Sequence, residues 1–163
     1  MSASDRTIDE LDVKILSLLQ GNARETQAEI ARAVGLAPSA VLERIRKLET
    51  RGVIKGYTAL LDPRVMGQGM LAFVAVRSEE VLTDNGVAQQ LSQVAEVLEV
   101  HHVAGEDCYL VKVRTKDAEQ LGALLRQRIG RIPGVKSTRT TIVLETVKET
   151  SRLNIPQAPS VNE

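Results

Sequence analysis

Residues 26 to 56 constrain the fold more than any other stretch, because they carry start and stop signals for two short helices. Thr26 and Glu29 have the spacing of a capping box, which starts a helix. Gly35 suits the turn that ends this helix, and Pro38 suits the first turn of the next, where a missing N–H costs nothing. Two short helices joined at a glycine have the layout of a helix-turn-helix, whose second helix enters the DNA major groove.

The second of these helices has one apolar stripe and a basic face. Val41, Ile45 and Leu48 fall at helical spacing and predict the buried stripe. Five basic residues stand against two acidic ones between residues 38 and 56. A plain helical hairpin with a solvated charged face is the alternative, but the capping box, glycine turn and proline together favour DNA binding. The predicted DNA-contacting residues are Ser39, Ala40, Arg44, Arg46, Lys47 and Lys55, with Arg44 expected to reach a base edge.

Composition narrows the class of protein. The length of 163 residues allows one domain or two small ones, and a hydrophobic content of 43% supports a packed core. Aromatic residues make up only 2%, which argues against stacking of single-stranded bases. The net charge of +0 gives no global attraction to nucleic acid or membrane, so any DNA attraction is local. A single cysteine, Cys108, excludes an intramolecular disulfide and fits a reducing compartment. Without a long apolar run or a signal pattern, we expect a cytoplasmic protein on the nucleoid and no membrane partner.

The order of patterns predicts an α+β chain with two domains. Residues 1–60 read as an N-terminal winged helix-turn-helix, with a first helix from Ile8 to Gln20 and a wing or short strand pair from Val53 to Leu60. Residues 61–69 contain one proline and two glycines and read as a hinge. Residues 70–150 follow the order strand, helix, strand, strand, helix, strand, which is the ferredoxin-like βαββαβ plan. Residues 151–163 read as a flexible tail or a partner contact.

The first strand of the second domain points to self-association. Residues 70–77, MLAFVAVR, are almost continuously apolar, which is typical of a strand covered on both faces. The next helix, with Thr83 or Asp84 as its cap, and the later helix capped by Asp117 can cover only one face of the sheet. A second subunit is the natural cover for the other face, so we expect a homodimer. The last strand is expected over residues 137–147.

No catalytic or metal site is evident. His101 and His102 are adjacent on a predicted strand, so they face opposite sides, and we expect one buried and one exposed imidazole. Neither a CxxC nor an HxxxH pattern supports a metal ion, and no Ser/His/Asp set or glycine-rich phosphate loop is present. A polar turn residue is a better interpretation of Cys108 than a redox sensor. The sequence therefore predicts a protein without enzymatic activity, bound metal or cofactor.

Several stretches, taken in order, resemble the Lrp/AsnC (feast/famine) transcription regulators. They are DELDVKILSLLQGNAR, GLAPSAVLERIRKLETRGVIKGYTALLDP, VAGEDCYLVKVR and IPGVKSTRTTIVLETVKETSRL. The resemblance implies a winged helix-turn-helix, a hinge and a ferredoxin-like effector and oligomerisation domain. It also implies that effector domains pair sheet to sheet into dimers, which assemble further into octamers or larger rings. Such regulators bind double-stranded DNA and an amino acid or related metabolite, and switch transcription accordingly.

The chain departs from the family pattern at two places. Ala37 stands where a serine or threonine often caps the recognition helix. Ser39 is then the residue expected to cap this helix. The turn from Gly105 to Cys108 reads Gly-Glu-Asp-Cys where Gly-acid-aromatic-Asp is frequent. Asp107 or Glu106 would accept from the ammonium group of an amino acid, and backbone N–H groups near Gly105 would bind its carboxylate. The alternative is a tight hairpin turn with solvated acids. The predicted effector residues are Gly105, Glu106, Asp107, Cys108, Thr140 and Thr141.

Two other functions share parts of this pattern. Sirohaem decarboxylases resemble the same two-domain plan and use histidines. An enzyme is therefore an alternative, with His101 and His102 as its candidate residues. A basic recognition helix has no use in a decarboxylase, and this argues against the enzyme. An architectural protein that compacts DNA with little sequence preference would instead show salt-dependent binding without a preferred site.

Overall fold

The computed structural model describes residues 8–79 and 86–155, and the chain divides into two compact units. The helical unit comprises Met1–Ala59 together with Glu149–Glu163, and the sheet unit comprises Leu60–Lys148. The first unit corresponds to the predicted DNA-binding domain, residues 1–60. The described part of the predicted flexible tail differs from expectation, because residues 151–155 belong to the helical unit and contact its first helix.

Three helices form the helical unit. They are α1 (Glu10–Gly21), α2 (Gln27–Val34) and α3 (Pro38–Thr50). Helix α1 begins two residues later than predicted, because Asp9 is its N-cap and accepts a hydrogen bond from the Asp12 backbone N–H at 2.8 Å. Ile8 therefore precedes the helix rather than starting it, and its side chain is exposed.

The junction of α2 and α3 follows local sequence signals. Thr26 and Glu29 form the predicted capping box, and Gly35 ends α2 in the left-handed region with φ of +73°. Pro38 occupies the first turn of α3, as predicted. The apolar stripe of α3 packs against α1 and α2, because a helix pair must bury its apolar faces to be stable. The buried side chains of this core are Ile15, Ile30, Ala31, Val41 and Ile45.

The segment after α3 does not form the expected strands. Gly52 has a φ of +70°, and the Val53 backbone N–H donates to the Leu48 carbonyl at 2.9 Å, which closes α3 with a turn. Residues 55–60 then have irregular backbone, because no strand within the described residues 8–59 and 149–155 pairs with them. The predicted hinge, residues 61–69, contains a hydrogen-bonded turn in which the Gln68 N–H donates to the Pro63 carbonyl at 2.7 Å.

The sheet unit has the predicted ferredoxin-like order. Its elements are β1 (Met70–Ser78), α4 (Gly86–Ser92), β2 (Val97–His102), β3 (Tyr109–Thr115), α5 (Ala118–Gln127), a 3₁₀ turn (Ile129–Arg131) and β4 (Val135–Ile142). All pairs in the four-stranded sheet are antiparallel, and the strand order is β2-β3-β1-β4. Asp117 caps α5 as expected. The proposed α4 caps, Thr83 and Asp84, lie outside the described residues.

One face of this sheet carries the core, and the other stays open in a single chain. Side chains such as Val74 and Val111 are fully buried under the helices. Phe73, Ala75 and Leu110 fall on the opposite face and are only partly covered. The last strand ends at Ile142 rather than at residue 147, because β1 has only Leu71 and Met70 left beyond the Ala72–Ile142 pair, where the Val143 N–H donates to the Leu71 carbonyl at 2.9 Å.

Candidate DNA-binding surface and effector site

The outward face of α3 carries exposed polar and charged side chains. Since Val41, Ile45 and Leu48 are buried, the opposite side of the helix faces solvent. The structure places Ser39, Arg46, Lys47 and Lys55 in exposed positions and leaves Ala40 and Arg44 half-buried. This arrangement agrees with the predicted surface, although the individual DNA contacts stay predictions.

Arg44 is tied to the start of α1. One guanidinium nitrogen lies 2.6 Å from an Asp9 oxygen and 2.7 Å from an Asp12 oxygen. Hydrogen bonds to Asp9 and Asp12 raise the pKa of Arg44 above its ordinary value. Partial burial pushes the pKa of Asp9 upward, but hydrogen bonds from the Asp12 backbone and the Arg44 guanidinium outweigh it and hold that pKa below 3.8. In this structure Arg44 links α3 to the start of α1, and a DNA base would have to compete with the two carboxylates for its guanidinium group.

Lys47 is paired with a carboxylate that holds it less firmly than Asp9 and Asp12 hold Arg44. Its ammonium group lies 2.7 Å from a Glu43 oxygen one helical turn away, and both side chains are 67% exposed. The hydrogen bond with Lys47 lowers the pKa of Glu43. Exposed ion pairs of this type are readily exchanged for other partners, because water and salt screen them. Lys47 can therefore turn from Glu43 to a phosphate at little cost.

The start of α3 has no side-chain cap. Ala37 is the N-cap residue, and neither it nor Ser39 provides a capping hydrogen bond. Ser39 thus does not cap the helix in place of the missing serine or threonine, because it lies inside the first turn rather than at the cap position. Its exposed hydroxyl stays on the surface of the helix.

The turn between β2 and β3 is pinned to the end of β1. The Cys108 N–H donates to the Val76 carbonyl at 3.0 Å, and its thiol donates to the Ser78 carbonyl at 3.4 Å. Gly105 has a φ of +136°, a conformation that side chains disfavour. The Asp107 carboxylate accepts a hydrogen bond from Arg139 of β4 at 2.6 Å. Asp107 therefore has an internal cationic partner, which the sequence interpretation did not include.

The six predicted effector residues do not form one cluster. A shallow pocket of about 440 Å³ is lined by His102, Val103, Ala104, Gly105 and Cys108. Glu106 and Asp107 do not line it. Thr140 and Thr141 are neighbours on β4, opposite Val74 and Phe73, so they point to different faces of the sheet. The contact that β4 makes with the turn comes from Arg139, and the alternation of STRTT places Arg139 on the same face as Thr141.

The two histidines face opposite sides, as predicted. His101 lies 3.0 Å from a Glu99 oxygen, while the His102 ring centroid is 5.1 Å from that of Tyr109. Hydrogen bonds from His101 and Lys112 lower the pKa of Glu99. Both imidazoles are exposed, which corrects the expectation of one buried ring, because β2 is an edge strand.

The described residues contain neither a metal-binding cluster nor a membrane-spanning helix. No group of three or more His, Cys, Asp or Glu side chains within residues 8–79 and 86–155 is arranged to hold a metal ion. Across the same ranges, no helix has the length and apolar character needed to cross a bilayer.

A helix-turn-helix with a basic outward face, joined to a ferredoxin-like domain, defines a two-domain DNA-binding regulator. The AsnC-type helix-turn-helix domain matches residues 8–49, and the Lrp/AsnC ligand binding domain matches residues 71–153. The chain belongs to the Lrp/AsnC family of transcriptional regulators.

Similar proteins share almost the full length. The HTH-type transcriptional regulator FL11 of Pyrococcus horikoshii is 44% identical over 91% of this chain and 97% of that protein. The leucine-responsive regulatory protein of Escherichia coli is 39% identical over 92% of this chain and 93% of its own length. The feast or famine regulatory protein from M. tuberculosis, complexed with L-methionine, has a TM-score of 0.84 at 37% identity and covers 92% of this chain and 100% of its own.

Proposed function

We propose that this protein is a sequence-specific transcriptional regulator whose DNA binding or assembly responds to an amino acid or related metabolite. The observation that carries the proposal is the exposed basic face of α3, held outward by its buried apolar stripe, in a chain that also contains the family's ligand-binding domain. We assign it no catalytic role, since its relatives are transcriptional regulators and His101 and His102 point apart. It would act on the nucleoid, in the cytoplasm.

The DNA contacts follow from the geometry of α3. Ser39 and Ala40 lie in its first turn, the part of a recognition helix that approaches base edges. Arg46, Lys47 and Lys55 would bind phosphates, which supply affinity but no sequence information. Arg44 was expected at a base edge, but its pairing with Asp9 and Asp12 supports a positioning role instead.

We propose that two copies pair through the open face of the sheet. Phe73, Ala75 and Leu110 form an apolar centre on this face, and Lys112, Arg139 and Glu99 surround it. An apolar centre with a polar rim is the usual anatomy of a protein interface. A dimer would present two recognition helices to half-sites about one helical turn apart, and further assembly into octamers would multiply this arrangement.

Phe73→Lys should convert the dimer into monomers. The new ammonium group would lie opposite Lys112, and burying a second cation there in a subunit contact is unfavourable. Sedimentation should then give a mass near 17.8 kDa. Ala118→Lys is the matched control, because Ala118 is exposed on α5 over the other face. An unchanged mass for folded Phe73→Lys would place the subunit contact elsewhere.

The ligand we propose is a free amino acid bound beside the 105–108 turn. Similar proteins have been solved with L-methionine, and the pocket offers exposed backbone near Gly105. Glu106 is exposed and would accept from the ammonium group, while the Asp107 carboxylate is shared with Arg139. Arg139 is 76% exposed and is available to a ligand carboxylate. A subunit contact would supply the remaining walls, with Thr141 from the same face of β4.

Calorimetry across the twenty amino acids tests this proposal. At least one should bind at millimolar concentration or tighter and change the affinity for a selected DNA duplex. Glu106→Ala with Asp107→Ala should weaken binding by about tenfold or more, because a hydrogen bond to a charged group contributes about 1.5–3 kcal/mol. Glu119→Ala with Glu145→Ala removes the same charge elsewhere and should bind normally. The effector role is wrong if nothing binds the wild type, and the site is wrong if the first double variant binds equally well.

A further inference from the structure

The end of the described chain returns to the helical unit and binds the last turn of α1. We call residues 149–155 the return segment. The Gln20 side-chain amide donates to the Leu153 carbonyl at 3.0 Å, and the Leu153 N–H donates to the Gln20 side-chain oxygen at 2.8 Å. Arg152 donates to the Gly21 carbonyl at 3.1 Å. Three hydrogen bonds thus join residues that lie more than 130 positions apart.

The two sides of this contact are complementary in their hydrogen-bond donors, acceptors and charges. A glutamine amide offers both donors and an acceptor, so Gln20 satisfies both backbone groups of one residue at once. Helix α1 has no basic residue in its own last turn, and Arg152 brings a cation to carbonyl groups that carry partial negative charge. The contact therefore combines two backbone hydrogen bonds at Leu153 with one cationic hydrogen bond from Arg152.

The return segment is held by hydrogen bonds more than by burial. Leu153 is 77% exposed, and only Ile155 of the segment is half-buried. An open pocket of about 580 Å³ lies beside it, lined also by Leu16, Leu19 and Tyr57. A contact with few buried apolar groups opens at low free-energy cost. The segment can consequently exist in docked and released states.

We propose that the return segment is a second tether through which the sheet unit controls the recognition helix. The sheet unit is inserted between two parts of the helical unit, so two covalent connections join them. The second connection restrains the helical unit only while the return segment is docked on α1. This role deepens the proposed function and rests on it for its effector part.

A continuous series of contacts supports this role. Asp107, in the proposed effector turn, is paired with Arg139 on β4. Residues 143–148 lead from β4 directly to the return segment, which binds Gln20 and Gly21 of α1. At its other end α1 carries Asp12, which is paired with Arg44 of α3. Every link is covalent or a hydrogen-bonded contact, and the return segment is the one with two accessible states.

The tether should increase DNA affinity by limiting the freedom of the helical unit. A domain on one flexible connector loses more orientational entropy on binding than a domain held at two points. An amino acid that moves β4 would then favour either the docked or the released state. Its effect on DNA binding is limited by its differential affinity for the two states.

The experiment compares the full-length protein with three changes. Gln20→Ala removes both side-chain bonds to Leu153, Arg152→Ala removes the bond to Gly21, and a stop after Lys148 removes the segment. A stop after Ile155 keeps the segment, and Gln89→Ala alters an exposed glutamine of α4; these two are the controls. Amide hydrogen exchange of Leu153 reports docking. Affinity for a duplex selected from a random pool, with and without L-leucine or L-methionine, reports coupling.

Gln20→Ala should speed Leu153 exchange by about tenfold or more, since the amide loses its acceptor. Gln20→Ala, Arg152→Ala and the stop after Lys148 should weaken binding of the selected duplex by about threefold to tenfold. They should also reduce the change in DNA affinity that the amino acid causes. Calorimetric affinity for the amino acid should shift toward that of the released state, by no more than the lost coupling. The two controls should match the wild type.

Two results would overturn the tether. Equal Leu153 exchange in wild type and Gln20→Ala would mean that the segment is not docked in solution. Faster exchange with unchanged DNA affinity, with or without amino acid, would mean that docking transmits nothing. If neither amino acid affects the wild type, the proposed effector response fails for these two ligands, and the affinity for DNA alone still decides the tether.

Discussion

Replacing Arg46 and Lys47 together by alanine should weaken binding to duplex DNA by at least about tenfold at moderate salt. Both side chains are exposed on the outward face of α3, and the fold of the helical unit does not depend on them. Each phosphate contact removed should reduce the slope of log affinity against log salt by about one. Fluorescence titration at four salt concentrations, on specific and random duplexes, measures both quantities.

The control for this loss of charge is a double variant in the other unit. Lys116→Ala with Arg131→Ala removes two exposed cations of the sheet unit and should leave DNA affinity and salt slope unchanged. If the two double variants weaken DNA binding equally, general electrostatic attraction rather than the face of α3 holds the DNA. If only the specific duplex is affected by Arg46→Ala and Lys47→Ala, these residues contact bases rather than phosphates.

Arg44→Ala should destabilise the helical unit by about 1–3 kcal/mol at neutral pH, because it leaves the nearly buried Asp12 carboxylate without its cation. The Asp9 carboxylate is 53% exposed and should contribute less, since water screens it. Urea denaturation followed by circular dichroism measures the change. Arg44→Lys should recover part of the loss, because lysine restores the charge but cannot reproduce the geometry of the guanidinium group.

The stabilisation of the fold that Arg44 provides should decrease as the pH falls. The folded state holds the pKa of Asp9 below 3.8, its value in the unfolded chain, so this pair stabilises the fold fully above about pH 5. That stabilisation is lost as the pH falls through the lowered folded pKa. The difference in stability between wild type and Arg44→Ala should therefore become smaller under acid conditions, by the part that Asp9 contributes. Unchanged stability together with a large loss of DNA affinity would instead return Arg44 to the base-contacting role expected from the sequence.

Local signals explain the parts of the fold that the sequence predicted. The capping box at Thr26, the left-handed Gly35 and the proline at the start of α3 each act within one helical turn. The strand and helix order of the second domain follows from hydrophobic periodicity, which is likewise local. The wing was wrong because strand formation after Gly52 needs a pairing partner, and none is available in the helical unit.

The side-chain partners were not predictable in the same way. Arg44 meets Asp12 across 32 positions, and Arg139 meets Asp107 across 32 positions. Nothing in the local pattern of either arginine distinguishes it from an exposed cation. Asp9 and Asp12 stand among several acidic residues near the start of the sequence, but no local pattern indicates which cation they meet. Such pairs require the tertiary arrangement, so the roles of Arg44 and Arg139 emerge only from the fold.

The return of the chain end to α1 also bears on the order of events during synthesis. The three helices leave the ribosome before the sheet unit, and the whole sheet unit follows before Arg152 and Leu153 appear. Domains generally fold as units as they emerge, so the recognition helix of a nascent chain can form before α1 makes its contact with Leu153. A regulator made this way completes the contacts of its helical unit only after its sheet unit has been synthesised.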